Sequence, residues 1–164
     1  MERYGRSAAG RGRRSRVILP VALAFAAAGG VPAAPSASVA TAPVTVQVAQ
    51  VRSAKGRVHV ALCPKERFLA DTCVYEASAP AQAGVTTITF PAIPAGDYAA
   101  QAFHDENANG KMDRIMGVVP KEGFGFSRDA KVRFAPPKWD EAVFTHEAKP
   151  QVLQFSLRYM MGPK

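Results

Sequence analysis

Apolar and polar side chains alternate with period two in several short stretches of the chain, and turn residues separate them. Val44-Thr45-Val46-Gln47-Val48 is the plainest case, and Arg57-Val58-His59-Val60-Ala61-Leu62 repeats it after the turn Ser53-Ala54-Lys55-Gly56. Such alternation places successive side chains on opposite faces of a pleated strand. The same reasoning predicts strands over 86–90, 97–104, 130–134 and 151–157. Pro91-Ala92-Ile93-Pro94-Ala95-Gly96 reads as a turn, its glycine free to take positive φ. No long window carries a helical stripe, and residues 139–144 have room for a single turn only. One-sided strands bury their apolar faces against a second sheet, so the expected fold is all-β, an antiparallel β-sandwich of about seven strands. Within it, His59 turns toward solvent and His146, in a polar segment, lies on the surface. Tyr98 packs its ring in the core and its hydroxyl finds a backbone partner.

The first 42 residues break this pattern. Residues 1–16 are basic, and Val-Ile-Leu-Pro-Val-Ala-Leu-Ala-Phe follows before a run of small residues. A membrane-spanning helix needs about 20 apolar residues, so this shorter stretch fits the core of a signal peptide over 1–40. Ser38-Val39-Ala40 offers a cleavage site after Ala40, with Ala37 and Ala34 as alternatives. Arg13-Arg14 keeps twin-arginine export open beside the general route, and an uncleaved anchor is the remaining alternative. No cysteine lies near the cleavage region, which argues against a lipoprotein. The expected location is therefore outside the cytoplasm, periplasmic or extracellular. Residues 41–164 then form a single domain with no transmembrane segment.

Charge separates along the same boundary. Of the formal +8, residues 1–42 carry +5 and residues 43–164 only +3, from 15 Lys+Arg against 12 Asp+Glu. A nearly balanced body without a Lys/Arg run lacks the electrostatic footprint of a nucleic-acid binder. The two cysteines, Cys63 and Cys73, suit one disulfide in an exported chain. A metal pair would need further ligands at short spacing, and a redox pair is usually C-x-x-C.

One segment carries chemistry. In His104-Asp105-Glu106-Asn107-Ala108-Asn109-Gly110-Lys111-Met112-Asp113, oxygen side chains recur at Asp105, Asn107, Asn109 and Asp113. These are positions 1, 3, 5 and 9 of a calcium loop, with the turn glycine Gly110 at 6 and the Lys111 carbonyl at 7. Hard oxygen donors suit Ca²⁺. Position 12, normally a carboxylate, is Met116, so any Ca²⁺ affinity is expected to be weak unless Glu122 closes the site. The competing reading is a plain loop of Asx-turns with no ion. His104 is a pocket candidate, and a hydrolase would pair it with Asp105 or Glu122. No Ser/His/Asp order, H-E-x-x-H or Cys/His arrangement accompanies it. Downstream, Gly123-Phe124-Gly125-Phe126 and the loop bearing Trp139 either pack over one end of the sandwich or form a ligand-binding surface.

The segments Pro94-Ala95-Gly96-Asp97-Tyr98, 104–113, 120–127 and Pro136-Pro137-Lys138-Trp139-Asp140-Glu141-Ala142 resemble, in this order, the bacterial exported family catalogued as domain of unknown function 2141. The likeness runs over about residues 44–159. It implies a small exported β-sandwich, similar to immunoglobulin/transthyretin-like and carboxypeptidase-regulatory modules, with no assigned reaction. Three function classes follow. The first is a binding or structural module of the cell envelope, weakly calcium-binding or not. The others are an accessory subunit docking on an envelope or transport protein, and a hydrolase.

Overall fold

A computed structural model of the chain describes residues 38–133 and 135–161. The signal peptide expected over 1–40 lies, but for its last three residues, outside the described residues. In chain order the strands are β1 (Thr41–Val51), β2 (Arg57–Cys63), β3 (Tyr75–Pro80), β4 (Gly84–Pro94), β5 (Gly96–Asp105), β6 (Arg114–Ile115), β7 (Val119–Pro120), β8 (Gly123–Phe126), β9 (Val143–His146) and β10 (Gln151–Ser156). A single turn of helix, α1 (Trp139–Ala142), precedes β9. Among the described residues no helix is long and apolar enough to cross a membrane.

Two sheets hold the fold. One has the order β10-β1-β4, and the other runs β3-β2-β5-β8 with β9 added along the first half of β5. Alternation decides their faces. Val44, Val46 and Val48 of β1 are buried, as are Val58, Val60 and Leu62 of β2, while the residues that alternate with them stay half-buried. Both inner faces meet in one core with Ile88, Phe90, Ile93, Tyr98, Phe155 and Leu157. Each such side chain contributes about 1.5–3 kcal/mol by leaving water. The all-β sandwich expected from the alternation is the observed architecture. One pairing departs from it: β1 and β10 run parallel.

The remaining differences have physical causes. The turn expected over 91–96 is mostly strand. Pro43 of β1 stands opposite two residues of β4, Pro91 and Ala92, and this bulge returns Ile93 to the core three residues after Phe90. The strand expected over 130–134 does not form over its described residues. Arg128 and Asp129 take φ of 60° and 50°, turning the chain off the sheet before the alternation begins. In its place β8 pairs with β5, and its glycines face inward. A Cβ on Gly125 would sit 2.5 Å from the Ser156 carbonyl oxygen, so only glycine lets β8 lie against β10. The disulfide Cys63–Cys73 is present and ties the end of β2 to the segment before β3.

Three polar residues complete the account. Tyr98 lies in the core and its hydroxyl donates to the Pro94 carbonyl at 3.2 Å, as expected. His146 is buried rather than on the surface, because β9 pairs with β5 and brings its ring to the Ile93 carbonyl and the Gln151 amide. His59 is on the outer face as expected but only partly open to solvent. Its ring lies flat on Phe103, with centroids 4.7 Å apart.

Candidate functional site

The outer face of the five-stranded sheet is where the sequence-derived candidates meet. Register places Ser78, His59, Phe103 and Phe124 in one row across β3, β2, β5 and β8, and Glu76, Ala61, Gln101 and Phe126 in the next. Among the described residues no further sheet covers this face, but around Ala99 it packs against Phe68, Phe126, Ala130, Trp139 and Ala142. It floors an open cleft of about 1070 Å³, walled by Leu69 from one loop, Met112 and Val118 from another, and Pro136 from a third. Phe124 and Phe126 thus stand in the cleft, held outward because their glycine neighbours must face in. Trp139 stands behind it, edge-on to Phe68, which in turn meets Phe126.

Loop 64–73, one wall, is attached by few contacts. Its 3₁₀ turn buries no side chain, and Leu69 is 43% exposed. The disulfide, the Phe68 ring and a 3.2 Å bond from Gln101 Nε2 to the Ala70 carbonyl hold it.

His104 is apart from the cleft. It is fully buried on the inner face, with Nε2 2.7 Å from the Lys55 carbonyl and Nδ1 2.8 Å from the Tyr159 hydroxyl. A carbonyl only accepts, so Nε2 donates to that of Lys55, and Nδ1 pairs with the tyrosine hydroxyl. With both ring nitrogens engaged, none is left for a substrate. Around it, burial pushes the Tyr159 phenol upward, while hydrogen bonds from Arg52 hold Glu106 below the usual carboxylate range.

The oxygen-rich loop is built from successive Asx-turns. Asp105, at the end of β5, is fully buried and accepts the backbone N–H of Asn109 at 3.1 Å and of Gly110 at 2.7 Å. Asn107 and Asn109 each accept the N–H two residues on. Gly110, at φ +75°, supplies the left-handed step that lets the chain wrap. The amide nitrogens of Asn107 and Asn109 donate to the two oxygens of Asp113, at 2.8 and 3.2 Å. Glu122 arrives from the junction of β7 and β8, only 4% exposed, and accepts the Asp113 N–H at 3.1 Å. Burial, then the charges of Asp105 and Asp113, push its carboxyl above the ordinary range.

Loop and cleft touch through His59. Its Nε2 is buried without a hydrogen-bond partner, 3.4 Å from Asp105 Oδ2. Among the described residues no three His, Cys, Asp or Glu side chains form a metal cage on their own. The oxygen set of the loop is completed only with two asparagine amides and the Lys111 carbonyl.

The cleft floor, His59, Ala61, Gln101 and Phe103, was not singled out from the sequence. A signal exists: these outward positions carry His, Ala, Gln and Phe where a solvated face would carry Lys, Glu or Thr.

Against known proteins, residues 46–154 match a family described as "Uncharacterized protein conserved in bacteria (DUF2141)". No curated protein and no solved structure matches the chain.

Proposed function

The chain belongs to the bacterial family DUF2141, and from that premise we propose that it is an exported binding module of the cell envelope, taking a ligand in the cleft on its five-stranded sheet. The observation that carries this reading is the cleft itself, with aromatic side chains in its floor. Phe103, Phe124 and Phe126 floor an open cleft between three loops, Phe124 only 6% exposed and Phe126 packed at its edge against Phe68. Mostly apolar concavities with a few polar groups are where small ligands bind, and His59 and Gln101 are the polar groups here. The ligand class is a compact, largely apolar molecule with one hydrogen-bonding end. Titration with 1-anilinonaphthalene-8-sulfonate tests it: saturable fluorescence enhancement is expected, and Ala61→Trp, which fills the floor, should remove it. Unsaturable, equal responses from both proteins refute the reading.

Glu122 favours a second role for the loop, weak calcium binding. Asp105, Asn107, Asn109, Asp113 and Glu122 would hold the ion with the Lys111 carbonyl. The support is that the charges of Asp105 and Asp113 act on Glu122, short of a three-carboxylate cage among the described residues. Asparagine N–H groups also donate to Asp113 where a cation would supply positive charge. Bound Ca²⁺ would act as a cross-link between the loop and the start of β8. Affinity of about 10⁻⁴–10⁻³ M is expected for such a site. At ten times that concentration Ca²⁺ adds about 1.4 kcal/mol to stability. Melting in chelator and in millimolar CaCl₂ tests it, and identical curves refute it.

A further inference from the structure

β6 and β7 pair only with each other, in a hairpin whose Arg114, Val118 and Val119 line one wall of the cleft while Met116 at its tip does not. The Val118 N–H closes its turn on the Ile115 carbonyl at 3.0 Å, with Met116 at φ 50° and Gly117 at φ 73°. A turn with two left-handed residues favours Asn or Asp at the first of them. Here that position holds methionine, and it is 94% exposed; Val118 is 76% exposed and Val119 41%. Folding rewards neither the strained methionine nor its exposure. Around the base of the hairpin stand Lys111, Arg114 and Lys121, all exposed and in no ion pair among the described residues.

We infer that this hairpin is a membrane-docking tip, with Met116 and Val118 entering the interface of a bilayer and Lys111, Arg114 and Lys121 meeting anionic phospholipid headgroups. The shape selects a bilayer over a protein. A stable protein interface buries about 800 Å² per partner, and a convex turn a few residues wide offers far less. A bilayer interface accepts a small apolar tip and rewards cations beside it. Each cation near an anionic surface strengthens binding roughly fivefold, so the three together supply about a hundredfold.

Sedimentation with vesicles tests this, using 7:3 phosphatidylcholine:phosphatidylglycerol against phosphatidylcholine alone, at low salt and in chelator. Chelator keeps calcium bridging by the neighbouring loop from carrying the result, so the test stands apart from the calcium reading. The wild type should sediment with the anionic vesicles and stay in the supernatant with the neutral ones. The double variant Met116→Asp/Val118→Asp should bind at least tenfold more weakly. Aspartate suits the left-handed turn better than methionine, so its melting temperature should hold. Lys111→Glu/Arg114→Glu should lose binding similarly. A wild type that stays in solution overturns the proposal, as does a Met116→Asp/Val118→Asp variant that sediments equally. A wild-type dimer that the same variant dissociates, without vesicle binding, also overturns it and makes the hairpin a protein contact.

Discussion

Replacing Cys63 with alanine and Cys73 with serine removes the cross-link that closes one wall of the cleft. The bond spans 10 residues of sequence. For a loop of that length the chain-entropy relation gives about 2.7 kcal/mol of stabilisation, acting through the unfolded chain. Unfolding entropy near 2.1 cal/mol/K per residue over about 120 ordered residues converts this to a fall of roughly 10 °C in melting temperature. The native side changes too. Without the bond, Leu69, Ala70 and Asp71 are held by the Phe68 ring and the Gln101–Ala70 hydrogen bond. The wall loosens but does not leave, so probe affinity in the cleft should fall severalfold rather than vanish. Calorimetry of the oxidised wild type against the double variant reads the first effect, and fluorescence titration the second. A melting temperature within about 2 °C of wild type would refute the entropic argument. Unchanged probe affinity would show that loop 64–73 is no part of the site.

Two further outcomes follow from the packing and the charges. Glu122 has its folded pKa raised, chiefly by burial. In chelator the wild type should therefore lose stability as pH rises from the ordinary carboxylate value through that raised one, with no such penalty below the ordinary value. Glu122→Gln should flatten that part of the profile in denaturant titrations, and parallel profiles would refute the assignment. Gly125→Ala forces a Cβ against the Ser156 carbonyl and should cost about 1–3 kcal/mol, seen as a lower urea midpoint at unchanged slope. An unshifted midpoint would mean β8 and β10 separate freely.

Strands with large apolar residues on one face were readable because burial and period coincide in β1, β2, β4, β5 and β10. The pattern failed where another constraint set the strand. In β8 the inward residues are Gly123, against the Tyr159 ring, and Gly125, against the Ser156 carbonyl, so no inward apolar side chain marked the strand. β3 alternates from Tyr75 to Ala79, but its inward side chains after Tyr75 are alanines and all are only half-buried, a weak apolar signal. The segment from Ala130 alternates without being a strand, because the left-handed pair Arg128 and Asp129 precedes it. In the loop, spacing was enough to place Asp105, Asn107, Asn109 and Asp113. Glu122 was reachable as a nearby carboxylate, and its burial against Asp113 required the fold. The cleft itself belongs to three loops far apart in sequence, and no local pattern joins Leu69, Met112 and Pro136.

The parallel pairing of β1 with β10 governs when the protein can fold. Val44 is matched to Gln151, more than a hundred positions later. Until residues 151–156 are available, β1 has one bare edge and the core lacks Phe155 and Leu157. Contacts so distant in sequence make folding slow, since the long loop must close before burial rewards it. A chain still emerging from a ribosome therefore stays open at least until residues 151–156 arrive.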